Sequence, residues 1–141
     1  MSHDTCPLCH PRDEETLWSD ARCRVIRVKD ADYPAFCRVI WEVHSKEMTD
    51  LSAADRAHFM AVVFVVESVL REMLNPDKIN LASLGNQVPH LHWHVIPRFA
   101  DDAHFPDPVW ATRRRPGQAH GIDHARLRQC LGDRLDMPAT A

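Results

Sequence analysis

The stretch His90-Leu91-His92-Trp93-His94-Val95-Ile96-Pro97-Arg98-Phe99 decides how this chain folds. Branched and aromatic residues alternate there with histidines, which is the pattern of a β-strand. Side chains alternate across a strand, so His90, His92 and His94 share one face while Leu91, Trp93 and Val95 share the other. Successive histidines then stand about 7 Å apart along the strand. The apolar set belongs to a core, which leaves the imidazole row on the face a ligand can reach. Two chemistries suit such a row. Imidazoles spaced i, i+2 on a strand are good zinc ligands. A neutral imidazole is also a competent nucleophile toward phosphorus near neutral pH, provided one ring nitrogen is free and the other is held by an acceptor. The bland alternative is three solvated or partly buried histidines on an edge strand.

Working outward, Gly85-Asn86-Gln87-Val88-Pro89 reads as a loop, and Lys78–Leu84 (KINLASL) as the strand before it. Upstream, Phe59, Val62, Val63, Val66, Val69, Leu70 and Met73 recur at three- and four-residue steps. That spacing predicts one long helix over Ala53–Leu74 despite its valines, with Ser52 as cap and Asn75-Pro76-Asp77 as stop. Cys23–Lys29 (CRVIRVK) and Phe36–Val43 (FCRVIWEV) read as two strands, antiparallel because only the turn cluster Asp30–Pro34 joins them. Arg12 to Glu15 reads as a charged stretch. After Phe99 the texture changes. Asp101–Pro116 holds three prolines, three acids and Arg113-Arg114-Arg115, an irregular arm with a solvated basic stretch. Asp123–Leu135 predicts a short terminal helix capped by Asp123. Strands, a helix, then strands that can pair as neighbours give an α+β domain. The expected architecture is a mostly antiparallel sheet with one long helix and a short C-terminal one. The expected division is a domain over 4–105 and an arm with its helix over 106–141.

Composition removes several function classes. The 141 residues suit one domain, and the net charge of −3 with 26% charged residues gives no sign of a nucleic-acid polymer or a membrane as partner. The longest apolar run, Met60 to Val66, is too short to cross a bilayer, and the polar start MSHDTCPLCHPRDEE is unlike a signal peptide, so a cytoplasmic location is expected. Of five cysteines, Cys23, Cys37 and Cys130 read as packed thiols. Cys6-Pro-Leu-Cys9 has the spacing of a metal knuckle, but two cysteines do not close a zinc site. The rival reading is a pair of free or reversibly oxidised thiols. His3 and His10 lie close to the cysteines as less favoured ligands; His58, His104, His120 and His124 read as surface residues. Trp110 reads as a packing residue or as one that folds over the site or a partner subunit.

The run His-φ-His-φ-His-φ-φ, met in full by His90 to Ile96, resembles the signature of the histidine triad (HIT) superfamily. The approach from Asn80 through Gly85-Asn86-Gln87-Val88-Pro89 is similar to that family's loop before the triad. The long helix and the Cys6/Cys9 start resemble its small bacterial members. The resemblance spans Cys6 to Phe99 and implies a HIT-like fold, a nucleotide substrate and a homodimer. It implies a nucleotidyl hydrolase or transferase, of the dinucleoside polyphosphate or nucleoside phosphoramidate class. His92 would be the nucleophile and form a nucleotidyl-histidine intermediate. His94 would bond the phosphate or assist the leaving group, and His90 would buttress the site. Asn80, Asn86 and Gln87 match positions that contact phosphate. The resemblance further implies no cofactor for catalysis and one structural zinc held by Cys6, Cys9, His44 and His90. The family often carries an acid that holds the ribose hydroxyls where this chain has Val28, and a histidine where it has Phe36. Two other readings stay open: a zinc hydrolase with His90, His92 and His94 as ligands, and a nucleotide-binding protein with little turnover.

Overall fold

The computed structural model describes residues 1–136. Its elements run β1 (Glu15–Ser19), β2 (Cys23–Arg27), β3 (Cys37–Trp41), α1 (Ala53–Leu74), β4 (Lys78–Ala82), β5 (His92–Arg98) and α2 (His124–Leu135). The five strands form one sheet in the order β1-β2-β3-β5-β4, and every neighbouring pair is antiparallel. This is the expected α+β architecture.

Helix α1 keeps the predicted bounds because both ends are chemically marked. The Ser52 hydroxyl accepts from the Asp55 N–H at 3.1 Å. At the other end Asn75 turns left-handed (φ 46°) and its N–H bonds the Arg71 carbonyl at 2.9 Å. The β-branched residues in between weaken the helix only slightly, and four of them, Val62, Val63, Val66 and Val69, are buried. Burial contributes about 1.5–3 kcal/mol for each such side chain, which exceeds the propensity loss. The same core takes Val25, Val39, Leu91 and Val95 from the sheet and Leu127 and Leu131 from α2.

Four differences from the sequence reading have physical causes. Glu15 begins a strand, β1, rather than ending a charged stretch. Only Leu17 of β1 is fully buried, and its register slips between Thr16 and Trp18, so the stretch carries no clean alternation. The predicted strands overrun at their ends; Phe36 and Val43, for example, lie outside β3. The segment between Phe99 and α2 has no helix or strand but is tied down by Asp102. That buried carboxylate accepts from Arg98 Nε (2.8 Å) and Nη2 (3.1 Å), from the Tyr33 hydroxyl (3.0 Å), and from the backbone N–H groups of Phe99, His104 and Phe105. These bonds hold its carboxyl well below the usual carboxylate range, against the opposing pull of burial. His104 is therefore buried rather than on the surface, with Nδ1 2.6 Å from the Tyr33 hydroxyl. Arg113, Arg114 and Arg115 are not a free tail: they bond Asp32, Asp107 and the Asp102 carbonyl in turn. Gly117, at φ 74°, passes so close that a Cβ there would lie 2.5 Å from the Ala103 nitrogen.

Candidate active site and metal centre

The alternation expected of the histidine segment is present. Leu91 and Val95 enter the core, and the three histidines turn to the opposite face of the sheet. That face is more enclosed than the sequence reading has it: His90, His92 and His94 are all buried. The N-terminal residues cover one end of the row and Trp110 the other.

At the first end, the His90 Nε2–H donates to the Trp41 carbonyl at 2.5 Å. A carbonyl only accepts, so the proton sits on Nε2 and Nδ1 of the neutral ring is a lone pair. Burial holds His90 below its ordinary pKa, with smaller contributions from His44, Arg24 and His92. Its Nδ1 points at three donor atoms: Cys6 Sγ (3.4 Å), Cys9 Sγ (3.4 Å) and His44 Nδ1 (3.2 Å). Cys9 Sγ is also 3.3 Å from His44 Nδ1. His44 Nε2 faces the Met1 carbonyl at 3.3 Å, so its Nδ1 is a lone pair as well. Two lone pairs facing each other at 3.2 Å repel unless a cation lies between them. Counting protein groups alone, burial and then Cys6 push the Cys9 thiol up to about 11. Zinc bonds of about 2.0–2.3 Å to nitrogen and sulfur make a tetrahedron with edges of about 3.3–3.7 Å. The distances of 3.2 to 3.4 Å here lie at the short end of that figure, and all four ligand atoms lie within 4.8 Å of one another. The donor set Cys6, Cys9, His44 and His90 therefore fits one tetrahedral zinc. His3 and His10 stay exposed and outside it.

At the second end, the His92 Nδ1–H donates to the His90 carbonyl at 2.6 Å. Its Nε2 is left as the free lone pair. Burial, opposed by that hydrogen bond and aided by Arg38, lowers the pKa of His92. His94 lies 4.9 Å from His92, ring centroid to centroid. The Arg38 Nε–H donates to His94 Nδ1 at 3.3 Å, so the His94 proton sits on Nε2. Burial first, then His92 and Arg38, push His94 down to about 3. Both rings are thus neutral at pH 7. One presents a lone pair and the other an N–H donor. They border a cleft of about 320 Å³ that is also lined by Arg38, Leu84, Asn86, Gln87 and Trp110.

Asn86 and Gln87 thus line the cleft, but Asn80 does not. Its Oδ1 accepts from Arg98 Nη1 at 2.7 Å, within the network that anchors the C-terminal arm. Trp110 packs edge-on against His94, centroids 5.0 Å apart. Arg38 is the residue that sequence reasoning missed. It lies on β3 directly opposite His94. Its one signal was being the lone charge in the strand stretch CRVIW, and only the pairing register reveals which histidine it faces. The three triad rings do not converge on one point, because both nitrogens of His90 are engaged away from His92 and His94.

Comparison with known proteins follows this geometry. No curated protein matches the chain. A histidine triad protein from Bradyrhizobium japonicum is 31% identical, with 86% of this chain and 90% of that one covered and a TM-score of 0.69. A histidine triad (HIT) protein from Sinorhizobium meliloti is 25% identical over 94% and 98%, with a TM-score of 0.71. A zinc-bound histidine triad family protein from Mycobacterium smegmatis shares the fold at 23% identity, over 96% and 98%, with a TM-score of 0.65. The HIT domain itself matches residues 11–101, so the chain belongs to the histidine triad family.

Proposed function

We propose that this protein is a nucleotidyl hydrolase or transferase in which His92 attacks the α-phosphorus of a nucleotide. One observation carries this reading. His92 Nδ1 is tied to the His90 carbonyl, which leaves Nε2 as an unprotonated lone pair at the wall of a cleft. The Nε2 lone pair forms the bond to phosphorus. The bond between phosphorus and the leaving group breaks, and the leaving group departs with the electron pair. Water or another acceptor then displaces the imidazole and releases the nucleotide. The His94 Nε2–H and the side chains of Asn86 and Gln87 supply donors for the phosphate oxygens, so charge development is met by hydrogen bonds and needs no catalytic cation. The engagement of both His90 nitrogens favours this reading over a zinc hydrolase built on all three histidines.

Cys6, Cys9, His44 and His90 would hold a structural zinc, a closed cross-link between the N-terminus and the catalytic strand. The zinc-bound relative and the converging donor atoms support this. A homodimer and a cytoplasmic location belong to the same reading. Sheet edges on a small domain give a motive for pairing, and among the described residues no helix is long and apolar enough to cross a membrane. The HIT-like unit would be 4–105, with 106–141 as an irregular arm and short helix, of which Trp110 covers the His94 end and residues 137–141 lie outside the described residues.

His92→Asn tests the assignment. Asparagine keeps a polar group of similar size and removes the nucleophile. Turnover on a panel of adenosine dinucleotides and phosphoramidates should fall by at least about 10³-fold, with AMP binding retained. A rate near wild type would overturn the nucleophile.

A further inference from the structure

Arg38 has an unusual place for a cation. It is half-buried, and among the described residues it makes no ion pair. Its Nε–H goes to His94, and its guanidinium carbon sits 5.8 Å from the centroid of the Phe36 ring. Neither partner carries a negative charge. Glu14 is near enough to be felt, but both its oxygens are taken by Arg24, at 2.6 and 3.1 Å. Burial pushes the Arg38 guanidinium down from its ordinary value. A partly desolvated cation without a counter-ion is costly, and among the described residues its two terminal nitrogens have no hydrogen-bond partner.

Arg38 also stands on a boundary. It lines the 320 Å³ cleft of His92 and His94, and it lines a second hollow of about 560 Å³ on the outer face of β2. That hollow is bordered by Arg12, Arg27 and Lys29 against Asp4, Asp13 and Glu14. Arg24 pairs with Glu14, Lys29 with Asp13 and Arg27 with Glu15, which leaves Arg12 and Arg38 facing Asp4 and the balance positive by one charge. Arg27 Nε is buried there without a hydrogen-bond partner. Two openings meet at one unpaired guanidinium beside the reacting histidine.

We infer that Arg38 is a substrate-binding residue that clamps a second phosphate group, one beyond the phosphate attacked by His92. This rests on the nucleotide reading above. The fork of terminal N–H groups suits a phosphate, and the substrate supplies the counter-charge the fold omits. By holding His94 Nδ1 with Nε, the same side chain aims the His94 Nε2–H at the reacting phosphate. The second phosphate comes either from the chain of the leaving group or from the sugar.

Equilibrium binding separates these sources. The full chain, as purified and carrying His92→Asn so that ligand is not consumed, is titrated with AMP, ADP and adenosine 3′,5′-bisphosphate. A two-phosphate ligand should bind about 10- to 100-fold tighter than AMP, the worth of a charge-assisted pair. A gain for ADP assigns the phosphate to the leaving chain; a gain for the bisphosphate assigns it to the sugar. Adding Arg38→Met should cut the gain to less than about 3-fold. Arg38→Lys, which keeps the charge, should restore most of it, which a merely structural role would not do. No gain before Arg38 is changed, or a gain that survives Arg38→Met, overturns the assignment. If AMP binds but the second phosphate adds nothing, only the role of Arg38 falls. If no nucleotide binds, the nucleotide reading falls and takes this inference with it.

Discussion

His90 and His92 are neighbours on one face of one strand, yet their surroundings are opposite. Both rings are buried and both have lowered pKa values for the same first reason, burial. They differ in which nitrogen is spent on a backbone carbonyl. His90 gives Nε2–H to Trp41 and turns Nδ1 into the cysteine cluster. His92 gives Nδ1–H to His90 and turns Nε2 to the cleft. The lesson is that one hydrogen bond sets the tautomer, and the tautomer sets whether an imidazole fits a metal or an electrophile. Because the His92 acceptor is the carbonyl of His90, whatever fixes His90 also fixes the ring of His92.

The largest effects should split along this line. His92→Asn removes turnover by the 10³-fold or more already stated but should leave the melting temperature nearly unchanged. The double variant Cys6→Ser, Cys9→Ser should do the reverse. It should lose about one zinc per chain by elemental analysis and about 4 kcal/mol or more of stability. For a chain this size that lowers Tm by roughly 10 °C or more. Native protein that contains no metal, with the same Tm in the variant, would leave the cysteines as plain thiols and break the comparison.

The two ends also differ in how far the sequence reveals them. The strand alternation, the helix bounds Ala53–Leu74 and the α2 cap at Asp123 rest on local chemistry, so they were legible. The set Cys6, Cys9, His44 and His90 was reached by resemblance alone, since residues from positions 6 to 90 meet only in the fold. At the cleft, Asn86 and Gln87 were likewise reached through the resemblance, since their own pattern reads only as a loop, and both line the cleft. Arg38 was not reached, because its meaning lies in the pairing of β3 with β5. Asn80 misled, because its bond to Arg98 depends on an arm that has no regular pattern to read. His104 and Arg113–Arg115 were hidden for the same reason: their partners, Asp102, Asp32 and Asp107, are met only in the fold, and aspartates in or near a proline-rich stretch carry no signal of it.

That arm offers a smaller perturbation of the His94 end. Asp102 and Arg98 are both fully buried, so Asp102→Asn should cost about 3 kcal/mol at pH 7 by leaving Arg98 unpaired. The sign with pH follows from the direction of the shift. The folded carboxyl titrates lower than the unfolded one. Its stabilisation is therefore full above about pH 4–5 and is lost as pH falls below that range. Wild type and variant should converge in chemical denaturation at acid pH. A gap independent of pH would show that packing, not charge, sets the role of Asp102.

The smallest effect should come from Trp110, whose contact with His94 closes the cleft. Trp110→Ala should raise KM about 3- to 10-fold and change kcat by less than about 3-fold. Unchanged kinetics would reduce Trp110 to a packing residue.

The central claim is that the free Nε2 of His92 bonds phosphorus, and trapping the intermediate tests it most directly. A nucleotide radiolabelled at the α-phosphate is turned over by the protein as purified, and the reaction is quenched in base. Phosphoramidate bonds to histidine survive base and break in acid. The account predicts base-stable, acid-labile label on the peptide that carries His92, formed equally after a brief chelator treatment. Turnover without labelled protein, abolished by chelator and restored by added zinc, would contradict it.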